Sequence, residues 1–115
     1  MSTIILEPRK TSNSLLERYY NLLHQVQELL VVCKFEIRRH ERLLRHTKDP
    51  DAISKIQEQL NTLEELKLLL EDAIKYARLC RWHSCIEEGI PHLEKTLKTG
   101  RSSFQKLNRL EYGEV

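Results

Sequence analysis

Cys80, His83, Cys85 and His92 bring together, within one short stretch, the side chains that bind zinc or that pair as thiol and imidazole in nucleophilic catalysis. Their spacing, with two, one and six residues between them, matches no standard finger and cannot converge tetrahedrally from one continuous helix. Only a turn at Arg81 would bring them together. A catalytic thiol also needs an orienting third group and a pocket, and the chain has no phosphate-cradling loop, paired-carboxylate site or Ser/His/Asp arrangement. These residues therefore read as packing side chains. No metal, cofactor or small-molecule substrate is implied, and the expectation is a protein that is not an enzyme. The three cysteines, Cys33, Cys80 and Cys85, are an odd number without framework spacing, so all are expected as reduced thiols in a cytoplasmic or nuclear protein.

The second chemical feature is a run of cations. Lys34, Arg38, Arg39, Arg42 and Arg45, with His40 and His46, crowd one stretch, and positions 34, 38, 42 and 45 lie along one side of a helix at steps of about 6 Å. That spacing could follow a phosphate backbone. Phe35 is the lone aromatic nearby, which disfavours stacking on single strands, whereas contact with a duplex backbone needs only charge and shape. The competing expectation is a solvated helix end whose arginines pair with Glu36, Glu41 and an acidic second arm and complement the helix dipole.

Both features must be positioned by helices. Leu16, Leu23, Leu30, Ile37 and Leu44 recur every seven residues, with Tyr19, Val26, Cys33 and His40 three residues after the first four, an a/d ladder of a helix packed on other helices. Leu15, Leu22 and Leu29 widen this stripe enough to require two neighbours. The Thr11–Ser14 cluster with Glu17 forms a capping box that places the helix start near Asn13. Asp49-Pro50-Asp51 ends this helix and starts the next, whose ladder is Ile53, Ile56, Leu60, Leu63, Leu70, Ile74 and Ala77. Around Leu79 the pattern changes face, to Leu79, Trp82, Ile86, Ile90, Leu93 and Leu97. A break at Gly89-Ile90-Pro91 is favoured, with a turn at Cys80-Arg81 as the competing reading, and Gly100 then ends a short third helix.

The expected fold is all-α: a long antiparallel hairpin of residues 13–47 and 50–88 with a shorter third helix at 91–99, a coiled-coil-like bundle of three or four helices. Residues 1–12 are expected to be flexible, 13–100 to form one domain, and 101–115 a short helix or mobile tail, with Phe104, Leu107 and Leu110 at helical spacing. The composition, 40% apolar and 31% charged with three glycines, suits long helices, and 115 residues suffice for one domain. Residues 1–48, 49–76 and 77–115 carry net charges of +4, −4 and +2, an alternation that suits antiparallel arms. No apolar window is long enough to span a membrane, and the first ten residues lack the order of a secretory signal.

Ala73, Tyr76, Cys80, Trp82, Cys85 and Ile86 place small, aromatic and aliphatic side chains at the offsets of a tetratricopeptide hairpin, so residues 69–97 resemble one such unit. The pattern departs at Gly89 and His92, and no second repeat follows. The resemblance implies a similar local turn and no binding groove. Leu66–Leu70 also fits a Leu-x-x-Leu-Leu pattern that any leucine-rich helix produces by chance. With only a short third helix, Leu15, Leu22, Leu29, Leu66 and Leu69 should retain exposed apolar area, with Trp82 as a further interface anchor. The functional expectation is a non-enzymatic protein–protein interaction module, such as an adaptor, chaperone-like or scaffold subunit, working by self-association or within a larger helical assembly. The alternative is a helical RNA-binding protein, such as a small viral regulatory protein, using Lys34, Arg38, Arg39, Arg42 and Arg45.

Overall fold

The computed structural model describes the backbone of residues 7–79 and 83–112 and the side chains of residues 14–79 and 85–107. Three helices follow in order: α1, Glu7–His46; α2, Pro50–Leu79; and α3, His83–Tyr112. They form an all-α bundle, up, down and up. Helix α1 begins six residues before the expected start at Asn13. The overlooked signal is Glu7-Pro8, since proline in a first turn gives up an N–H that has no helical partner there. The Asp49 boundary is as expected: the Asp49 carboxylate accepts from the Ala52 N–H at 3.3 Å and its carbonyl from the Ile53 N–H at 2.9 Å.

Two side-chain hydrogen bonds fix the register of α1 on α2. The Tyr19 hydroxyl donates to the Ala77 carbonyl at 2.9 Å, and the Cys33 thiol donates to the Leu63 carbonyl at 3.2 Å. Tyr19 and Cys33 are two heptads apart on α1, and their acceptors are two heptads apart on α2 in the opposite sense. Between them the core is apolar. Val26, Cys33, Leu63, Leu70 and Leu93 are fully buried, and a leucine so placed contributes about 1.5–3 kcal/mol by leaving water.

The expected break at Gly89 and the short third helix are both corrected. Helix α2 ends at Leu79, and α3 runs through Gly89, Pro91 and Gly100 without interruption. Its two glycines serve close approach rather than chain reversal. A Cβ on Gly89 would stand 2.8 Å from the Tyr19 ring, and one on Gly100 would stand 2.5 Å from a Leu29 methyl. Glycine allows α3 to lie against the broad face of α1, and the sequence signature of a helix end is here a packing notch. Pro91 is tolerated inside α3 on an exposed position, at the loss of one helical hydrogen bond. Leu79, placed by the sequence on the third stripe, instead points outward, whereas Ile90, Leu93 and Leu97 enter the core.

The two notches should respond differently to a methyl group. Gly89→Ala pushes on a buried ring tethered through its hydroxyl, and should lower stability by about 1–3 kcal/mol. Gly100→Ala meets only the end of a flexible leucine, and the helix propensity gained, about 1 kcal/mol, should leave it near neutral. Urea midpoints of the two variants check this difference.

Candidate functional site

The long α3 closes over α1 and leaves a groove of about 460 Å³ between them, lined by Leu29, Val32, Glu36 and His40 from α1 and by Arg101, Phe104 and Leu107 from α3. Its polar groups are mostly engaged in holding the helices. Arg101 donates to the Gln25 side chain at 2.7 Å, and Arg39 holds Glu36 at 2.9 Å. Arg18 and Glu94 form a further bridge between α1 and α3. His40 is buried at the groove floor, with Nδ1 2.8 Å from the Glu36 carbonyl. A carbonyl only accepts, so Nδ1 is the donor in this contact.

The outward face of α1 is different. Val31, Lys34, Phe35, Arg38, Arg42 and Arg45 are all exposed, Val31 by 67% and Phe35 by 56%. None of the four cations among them forms an ion pair with a described residue. Arg39 departs from the expected group, because it turns back to Glu36. On the outward face of α2, Glu58, Glu65 and Asp72 are exposed beside Leu68, which is 61% exposed, and Leu79. One helix thus shows solvent a basic and apolar stripe, and the next an acidic and apolar one.

The expected apolar docking residues are distributed otherwise. Leu66 is buried beside Gly100, and Leu15, Leu22 and Leu29 are half-buried against the core, so the expected free area at these four is taken up by the long α3. Leu69 remains exposed. Trp82 lies outside the described residues. Val31, Phe35, Leu68 and Leu79 are among the apolar side chains that face solvent, and none of them was an expected docking residue. Their signal was the four-residue step from Val31 to Phe35, on the side of the helix opposite the ladder.

The sulfur and imidazole cluster does not assemble among the described residues. His92 packs edge-on against Tyr76, with ring centroids 5.3 Å apart. Cys80 and the His83 side chain lie outside the described residues, and Cys85 is in a disulfide, which corrects the expectation of three reduced thiols. Among the described residues no group of three His, Cys, Asp or Glu could hold a metal ion, and no helix is long and apolar enough to cross a membrane. Cys33 is a free thiol, pushed up to about 11 by burial, with Glu71 and Glu36 adding to the effect and Lys67 opposing it. Burial also raises Tyr19.

Both groups ionise less readily in the folded chain than in the unfolded one. The contribution of Cys33 to stability is therefore complete below the ordinary thiol value of 9.0 and is lost as pH rises toward about 11, and that of Tyr19 begins to be lost only above its ordinary value of 10.0. Urea midpoints should hold up to about pH 9 and then fall, with Cys33→Ala less stable throughout but flatter above pH 9. Iodoacetamide at pH 8 should leave Cys33 unmodified until the protein is unfolded, as peptide mass mapping would show. No family model matches the chain, and comparison with curated proteins and with solved structures finds no match.

Proposed function

We propose that this protein is a non-enzymatic interaction module, an adaptor, chaperone-like or scaffold subunit that works by adding its outward helix faces to other helices. One observation supports this above the rest: large apolar side chains stand in solvent on α1 and α2, Phe35 between Lys34 and Arg38 and Leu68 between Glu65 and Asp72. Exposing Phe35 and Leu68 gains nothing within the bundle, whereas a helix laid over either would bury an apolar centre within a charged rim.

A second reading, a helical RNA-binding protein, is favoured by Lys34, Arg38, Arg42 and Arg45 of α1, which pair with no described residue. A duplex contacted by Lys34, Arg38, Arg42 and Arg45 would bind with a steep salt dependence, with about one counterion released per phosphate neutralised. Replacing Arg38, Arg42 and Arg45 with Glu should then abolish binding while far-UV circular dichroism stays unchanged.

A photoreactive residue in place of Phe35 or Leu68 separates the readings in the cell that makes the protein. Protein adducts at both positions, and none from the exposed polar position Ser102, are the expected outcome. Nucleic-acid adducts at position 35 would move the assignment to the second reading, and the absence of any adduct would remove the first.

A further inference from the structure

The basic stripe of α1 and the acidic stripe of α2 are complementary to each other, yet they cannot meet within one molecule. Tyr19 and Cys33 bond across to α2 from the inner face of α1, so the inner faces of the two helices are already joined. The stripes turn outward. Whatever satisfies one of them comes from outside the bundle.

Resting on the interaction-module reading, we propose that the occupant is a second copy of this chain, with the outer face of α1 docked antiparallel on the outer face of the partner copy's α2. The spacing is the first argument. Val31, Phe35, Arg38, Arg42 and Arg45 advance by four, three, four and three residues, and Asp72, Leu68, Glu65, Asn61 and Glu58 step backward along α2 by the same intervals. Each stripe covers fifteen residues, about 21 Å of helix from end to end. Setting Phe35 on Leu68 then places Arg38 opposite Glu65 and Arg45 opposite Glu58. The same register brings Glu28 opposite Lys75, so the sign of charge inverts on both helices at the same level.

Charge is the second argument. Pairing α2 with α2 across Leu68 would set Glu65 against Glu71 and Asp72 against Glu64, and pairing α1 with α1 across Phe35 would leave Arg38 opposite Val32 and Arg45 opposite Gln25, so the mixed pairing is the one that matches both arginines with carboxylates. An isolated exposed ion pair is weak, and here the charges frame an apolar contact between Phe35 and Leu68 and fix its register. Because the two stripes belong to different helices, the contact is head-to-tail, and copies joined this way close into a ring or extend as a chain.

Charge exchange tests the assignment. Two variants each reverse one face: R38E/R45E makes both stripes acidic, and E58R/E65R makes both basic. All four positions are exposed and none forms an ion pair with a described residue, so helicity by circular dichroism should match the wild type. In sedimentation at low salt, after nuclease treatment, the wild-type mass should rise with concentration above the 13.7 kDa of one chain and fall back in high salt. Each variant alone should remain near 13.7 kDa, whereas their equimolar mixture, and a chain carrying all four changes, should recover association within about threefold of the wild-type constant. Phe35→Asp and Leu68→Asp, each alone, should also abolish it. A wild type that stays monomeric at low salt, single-face variants that associate normally, or a mixture that stays monomeric overturns the proposal. A monomeric wild type that still gives protein adducts at position 35 removes the second copy as occupant and leaves the interaction-module reading intact.

Discussion

The close approach of α3 to α1 at Gly89, beneath the tethered Tyr19 ring, is the constraint on which the rest of the bundle depends, with Gly100 a softer second notch against the end of Leu29. At both positions any side chain would meet Tyr19 or Leu29 inside contact distance. Only with these notches does α3 sit deeply enough to cover Leu15, Leu22 and Leu29 and to bring Leu93 and Leu97 into the core. A third helix held further off would leave the widened face of α1 wet, and α1 and α2 alone could not cover it. Interiors packed to crystal-like density do not tolerate such a gap, so two missing side chains on α3 determine how much apolar surface the monomer has left to show.

Covering that face changes which surface is available for binding. The leucines that widen the ladder of α1 are committed to α3, so the free apolar groups are those on the opposite side of the helix, among the arginines. The same holds for α2, where Leu66 is buried and Leu68, two residues on, stands in solvent. Each helix therefore has one apolar face committed to folding and a narrower one, framed by charge, that stands in solvent. A charged frame disfavours collapse of these faces onto arbitrary hydrophobic surface and admits a partner of opposite sign.

The ladder of α1, the Asp49-Pro50 junction and the basic stripe are legible in the sequence because each rests on local spacing or local capping. The ends of α1 and the extent of α3 are not. Gly89 followed by Pro91 has the same appearance as a helix terminus or as a notch beneath a tyrosine ring, and only the position of Tyr19 from another helix distinguishes them. Once α3 is taken as short, Leu15, Leu22, Leu29 and Leu66 look exposed, although Leu66 is buried and the other three are half-buried against the core. Capping residues at Thr11–Ser14 are also ambiguous, since they fit a helix start but are tolerated inside a helix once Pro8 and the core stripe carry it. The errors at Gly89 and along α3 share one origin, a contact distant in sequence, whereas the start of α1 had a local marker in Pro8.

The polar groups in the α1–α2 seam connect folding to recognition. An all-leucine seam would allow α1 to slide on α2 by a turn at little cost, since leucine packs on leucine in either register. Tyr19 and Cys33 remove that freedom, because each donates to a particular carbonyl of α2, and a buried donor left without an acceptor costs about 1–3 kcal/mol. A slip of one turn would break both bonds together. It would also move the outward charges of α1 about 5 Å along those of α2, and any assembly that reads both helices at once depends on their relative height. The hydroxyl and the thiol thus do for recognition what apolar packing alone cannot, by fixing where each charged stripe begins.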